Sequence, residues 1–220
     1  MDAARLPPRY VGILNVLFWM VIIVQIGVVV ANRGGLLFPD TPHYLEQAHY
    51  LVQGQFAVAG PDGKPVPDPA FPVGYPLFLS VCIELLHLPF PVVVTLQLLI
   101  LLLALAFFQR ALAKHGIPGP AFAAAVALYP FPFLYCTVLA PEAIALALLM
   151  ATVAFLLCFG HENRTSTLIA AGTCYGLVVL FRPSLVSAGP AVLLLAAFTS
   201  RGAWSFKVRS IVIVSLLAAI

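Results

Sequence analysis

Long apolar stretches alternate with short polar interruptions along this chain. Asp, Glu, Lys and Arg are absent from residues 10–32, 85–109, 115–141, 143–161, 165–181, 183–200 and 210–220. A helix crossing a bilayer needs about 20 apolar residues, so the pattern predicts an all-α polytopic membrane protein with about six to seven transmembrane helices. The first is expected over Val11–Ala31. Later ones are expected at about Ile117–Val138, Ala143–Gly160, Thr165–Phe181 and Ser184–Ser200, with a last helix starting at Ser210.

The polar break at 32–75 carries its own pattern. Thr41 suits an N-cap and Pro42 the first helical position, so a helix is expected right after Asp40, stopping near Gly54. Its apolar residues Tyr44, Leu45, Ala48, Leu51 and Val52 share one side. His43, Glu46, Gln47, Tyr50 and Gln53 occupy the other. Such an amphipathic helix is expected to lie along the membrane surface. The following segment, Ala59–Pro69, is dense in turn residues and reads as an exposed loop.

Pro76–Gln109 covers 34 residues, roughly 50 Å as one helix, too long for a single crossing. Pro89-Phe90-Pro91 interrupts it, because proline lacks the donor a helix interior needs. Pro76–Leu88 is therefore expected as a tilted or partly inserted piece and Val92–Gln109 as the crossing. The competing reading makes two crossings of this segment and inverts everything after it.

Composition agrees with the pattern: 62% of residues are hydrophobic and 9% charged, with mean hydropathy +1.06. Globular domains hold roughly 25% charged residues. Arg5 and Arg9 precede the first apolar run, whose length exceeds that of a cleaved signal, so it reads as an uncleaved anchor. With the N-terminus (1–10) cytoplasmic, Arg110, Lys114, Arg164, Arg201, Lys207 and Arg209 also fall inside. That is 8 of the 11 Lys and Arg, leaving Arg33, Lys64 and Arg182 outside, as the positive-inside rule asks. One transmembrane domain is expected over 1–220, with 32–75 extracytoplasmic and 76–220 a helix bundle. The last apolar segment stops at Ile220, its eleventh residue, so the bundle is expected to be incomplete at its C-terminus.

No block of Lys and Arg suggests nucleic acid. Cys82, Cys136, Cys158 and Cys174 stand singly in apolar segments, without a CxxC pair, and read as small buried hydrophobes.

The chemistry-bearing candidates fall on the expected outer side. Asp40 stands where the first helix meets the surface helix, a position for a general base acting on a lipid-borne substrate, or simply for a favourable helix-terminal charge. Glu142 follows a proline at a helix start and reads equally well as a cap. Arg182 lies between two apolar stretches, where an arginine is functional or paired with an acid, and suits a phosphate. His43, Glu46 and His49 do not share a helical face as metal ligands, so no metal is expected. Glu84 and His87 are expected to neutralise each other.

Four segments in order resemble the GT-C-type membrane glycosyltransferases, which include protein O-mannosyltransferases and the aminoarabinose and related lipid-sugar transferases. The run from Asp40 to Ala48 is similar to that superfamily's first outer loop. Phe71-Pro72-Val73-Gly74-Tyr75-Pro76-Leu77-Phe78 resembles the entry into its second helix. Ala140-Pro141-Glu142 resembles its second outer loop, and Ala171–Ser184 its Gly-rich helix ending in a basic residue.

The resemblance implies an inverting transfer from a polyprenyl-phosphate-linked sugar to a lipid, glycan or protein acceptor at the extracytoplasmic face. In that scheme Asp40 deprotonates the acceptor and Arg182 neutralises the phosphate leaving group. Glu142, with Tyr44 and His43, orients the substrate. No cofactor is implied. The setting would be a multi-pass protein of a bacterial inner membrane. The rival expectation is a transporter, or a lipid-handling or scaffolding subunit without catalysis, although no internal repeat typical of transporters is present.

Overall fold

The computed structural model describes residues 8–31, 39–68, 71–116, 135–162 and 164–199, with positions 212, 214 and 215. The chain is mostly helical. Helix α1 spans Pro8–Ala31, α2 Thr41–Val52, α3 Gly74–Leu79, α4 Phe90–Lys114, α5 Glu142–Glu162, α6 Thr165–Phe181 and α7 Gly189–Thr199. A two-stranded antiparallel hairpin, β1 (Ala57–Ala59) and β2 (Pro65–Pro67), pairs Val58 with Val66. Short 3-10 helices occupy Tyr135–Thr137 and Pro183–Ala188. The expected helix at 117–138 and the one from Ser210 lie mainly outside the described residues.

Helices α4 and α5 are long and apolar enough to cross a membrane. Large apolar side chains remain uncovered on several helices, among them Leu103 at 72% and Phe198 at 80% exposure. Uncovered apolar area of this kind is disfavoured in water and natural against lipid.

Two contacts set the direction of α5 relative to α4. Lys114 Nζ donates to Glu162 Oε1 at 2.8 Å, joining the C-terminal ends of both helices. At the other end Gln97 Nε2 donates to the Val138 carbonyl at 2.9 Å, just before α5 begins. The two helices are therefore parallel. Helices α5 and α6 form a tight antiparallel pair, so Arg182 returns to the end where α5 starts.

The expected interruption before α4 is present, with a sharper cause than proline alone. After α3 the helix widens into a π-turn over Ser80–Leu85, in which the Leu86 N–H reaches the Val81 carbonyl at 3.0 Å, five residues back. His87 then takes a left-handed backbone, φ 52, and Pro89 is extended. The segment 74–85 stays beside α2 throughout: Tyr44 packs against Tyr75, with ring centroids 5.1 Å apart, and His49 Nδ1 meets Glu84 Oε2 at 3.3 Å. It does not run alongside α4 to the Lys114 end.

Three sequence expectations are corrected here. The helix cap is Asp40 rather than Thr41, which is already helical, with Pro42 following it in the first turn. The Thr41 hydroxyl instead donates to the Leu139 carbonyl at 2.9 Å, a buried partner that outcompetes a local cap. The segment around 59–69 is exposed over 61–67 as expected, but it contains β2, and Asp68 at its end is buried. Glu84 does not pair with His87, because the π-turn and the left-handed residue throw His87 out of helical register; its partner is His49.

Part of the apolar side of α2 is buried within the protein. Tyr44 and Ala48 are buried in one cluster with Tyr75, Leu79, Cys82 and Val93. Gln47, expected on the polar side, is buried too, whereas Val52 is exposed. None of the four cysteines is in a disulfide. Cys82, Cys136 and Cys158 are buried.

Candidate functional site

Three segments far apart in sequence meet at the α2 end of the bundle. The Thr41–Leu139 hydrogen bond fastens the start of α2 to the turn before α5. Arg182 Nη1 donates to Glu142 Oε1, fastening the end of α6 to the start of α5. Gly74 sits against the backbone of Leu180: an added Cβ would lie 2.7 Å from its carbonyl oxygen and 2.9 Å from the Phe181 ring. That close approach requires glycine.

Tyr44 stands at the centre of this junction. Burial, then the charges of Asp40 and Glu142, push its phenol up to about 12, opposed by Arg182. A single side chain thus lies within electrostatic reach of all three charged candidates. Its hydroxyl remains protonated through the physiological range. Its ring is held edge-on between Phe71 at 5.4 Å and Tyr75 at 5.1 Å.

The charged residues differ in how they are engaged. Asp40 is half-buried, and its carboxylate makes no capping hydrogen bond. Glu142 spends one oxygen on Arg182, while the other, Oε2, is buried with no partner among the described residues. The Arg182 side chain is 43% exposed, so it is not enclosed by its acid partner. A fork of this kind can hold one carboxylate and receive an anion.

Against the last turn of α6, which ends one residue before Arg182, the structure forms an apolar cavity of about 260 Å³, lined by Gly74, Leu77, Phe78, Val81, Leu177 and Phe181 among others. It lies between the α3 segment and α6.

His43 takes a different route. Its Nε2 contacts Asp68 Oδ2, the same oxygen that accepts from Gln47 Nε2 at 3.0 Å, and its ring lies on Phe71 at 4.2 Å. Glu46 Oε1 accepts from the Ala59 N–H at 3.0 Å, and His49 faces Glu84. The three residues weighed as metal ligands therefore separate, and among the described residues no three His, Cys, Asp or Glu converge.

Asp68 and Gln97 were not singled out from the sequence. Asp68 lies between two prolines in a turn-rich run, which by itself signals exposure. Gln97 lies within the second apolar segment and is fully buried, accepting from the Tyr75 hydroxyl at 2.7 Å. A polar residue inside a lipid-length stretch was the available signal.

No protein-family model matches the chain, and neither the curated proteins nor the solved structures contain a match to it.

Proposed function

We propose that this chain belongs to a membrane glycosyltransferase of GT-C type, which moves a sugar from a polyprenyl-phosphate donor to an acceptor hydroxyl with inversion. The observation that carries the reading is the convergence of Asp40, Glu142 and Arg182 around Tyr44 from three separate segments. Asp40 removes the acceptor proton as its oxygen attacks the sugar. Arg182 neutralises the phosphate that leaves, and Glu142, through its unpartnered oxygen, orients a donor or acceptor hydroxyl. The apolar cavity against the last turn of α6 suits the first part of an isoprenoid chain. The reaction takes place at the extracytoplasmic face of a multi-pass protein, with Lys114 and Arg164 on the cytoplasmic side, in a bacterial inner membrane.

One observation favours a second reading, that of a lipid-handling or scaffolding subunit: Arg182 already has an acid partner and is accounted for structurally. Asp40→Asn separates the two. On the catalytic reading, transfer from a radiolabelled polyprenyl-phosphate sugar falls roughly 10²–10⁴-fold, with membrane insertion intact. Unchanged transfer removes Asp40 as the base.

A further inference from the structure

The hairpin end delivers a second acid to α2. Asp40, His43 and Gln47 fall at positions i, i+3 and i+7 along one stripe of the helix. Asp68 lies over the last two, accepting from the Gln47 amide and meeting Nε2 of His43. The amide is oriented by this: turning it over would set its oxygen against the carboxylate. Asp68 is 9% exposed and Gln47 fully buried, so the acid is held firmly, while the His43 side chain keeps 30% of its surface open. Phe71 covers one side of the imidazole.

We propose that Asp68 is a positioning residue and that His43 carries away the proton which Asp40 takes from the acceptor. Asp68 holds the hydrogen on Nε2, which leaves the lone pair on Nδ1. His43 is one helical turn from Asp40, the spacing at which side chains are neighbours.

The inference rests on the glycosyl-transfer reading above, and the step balances. The acceptor O–H gives its proton to Asp40 as the oxygen bonds to the anomeric carbon. The bond from that carbon to the phosphate oxygen breaks, with its electron pair leaving on the phosphate. Asp40 passes the proton to Nδ1, and the imidazolium, paired with Asp68, releases it to water through its open edge. The other charged groups of α2 and the hairpin are accounted for: Glu46 is engaged by the hairpin backbone, and Lys64 and Asp62 pair with each other at the hairpin tip.

Imidazole ¹⁵N shifts of the full-length protein in lipid nanodiscs, without substrate, report the tautomer directly. The expected result is hydrogen on Nε2 of His43 above the share that a free histidine imidazole shows, an excess lost in Asp68→Asn and kept in Asp68→Glu. A share no higher than the free one in the unmodified protein would overturn the positioning role. In the transfer assay, His43→Ala should lower kcat about tenfold or more with KM within about twofold, and added imidazole should restore part of the rate. Full kcat in His43→Ala overturns the proton transfer. If the unmodified protein transfers no sugar, the glycosyltransferase reading and its proton-transfer step fall together, while the tautomer measurement still decides whether Asp68 positions His43.

Discussion

Arg182 and Glu142 are 40 residues apart in sequence and close one end of the α5–α6 pair. The ion pair has one open side: the arginine is partly exposed, whereas the second carboxylate oxygen is buried without a partner among the described residues. Removing only the arginine strands a carboxylate that is 18% exposed. Arg182→Met should therefore cost about 1–3 kcal/mol, less than for a fully buried pair because water screens the arginine. Glu142→Gln should cost less than Arg182→Met, and the double variant less than the sum of the two. Detergent-titrated unfolding in micelles measures all three, and strict additivity would show that the pair contributes nothing.

Thr41→Val keeps the shape of the side chain and deletes the hydroxyl that reaches Leu139. A buried carbonyl is left without that donor, which should cost about 1–3 kcal/mol. Limited proteolysis should then cut first between α2 and the hairpin. A variant as protease-resistant as the parent would show that the tie is dispensable.

Tyr44 supplies a pH signature. Its folded-state value of about 12 lies above the ordinary 10.0, so the folded protein holds this proton more tightly than the unfolded chain. The associated stability is fully present below pH 10 and is lost as pH rises from 10 to 12. Tyr44→Phe should flatten the stability profile in that window and leave it unchanged at neutral pH. Tyrosinate absorbance during titration reads the same group, and a Tyr44 that ionises at its ordinary value would contradict its placement.

Gly74→Ala tests the contact between α3 and α6. The new methyl meets backbone atoms at 2.7 and 2.8 Å, which do not yield as a flexible side-chain tip would. Overpacking of this sort costs about 1–3 kcal/mol. The variant should also widen the gap between α3 and α6, seen as a lowered melting temperature.

Lys64 and Arg164 stand at opposite ends of the fold, with side chains 82% and 73% exposed. With the native cysteines replaced, cysteines at these two positions should react oppositely with an impermeant thiol reagent applied outside intact cells. Lys64→Cys should label and Arg164→Cys should not. Equal labelling refutes the proposed sidedness.

Much of the local architecture was legible because lipid-length runs and proline leave little choice. Thr165–Phe181 forms one helix as expected, α5 extends its expected span by a residue or two at each end, and the break before α4 falls at Pro89. The meeting of the Asp40, Glu142 and Arg182 segments followed from charge sidedness and alternation of the helices. What the sequence hid depends on long-range partners. Thr41 has the same local preference for capping whether or not Leu139 is near. Asp68 looks solvent-facing until His43 and Gln47 close over it. The His49–Glu84 pair depends on a π-turn that no apolar periodicity announces, since its residues are equally suited to an ordinary helix.

The π-turn acts as a spare residue in the register of 74–85. Each residue of an ordinary helix advances about 100° around the axis. A π-turn takes up one residue more than an ordinary turn holds. Wound instead as an ordinary helix, the same residues would present the side chains beyond Ser80–Leu85 turned by up to about 100° relative to those before it, and the facing of Glu84 toward His49 would be lost. The widened turn thus behaves as a rotational index, deciding where the acid of an oily segment points.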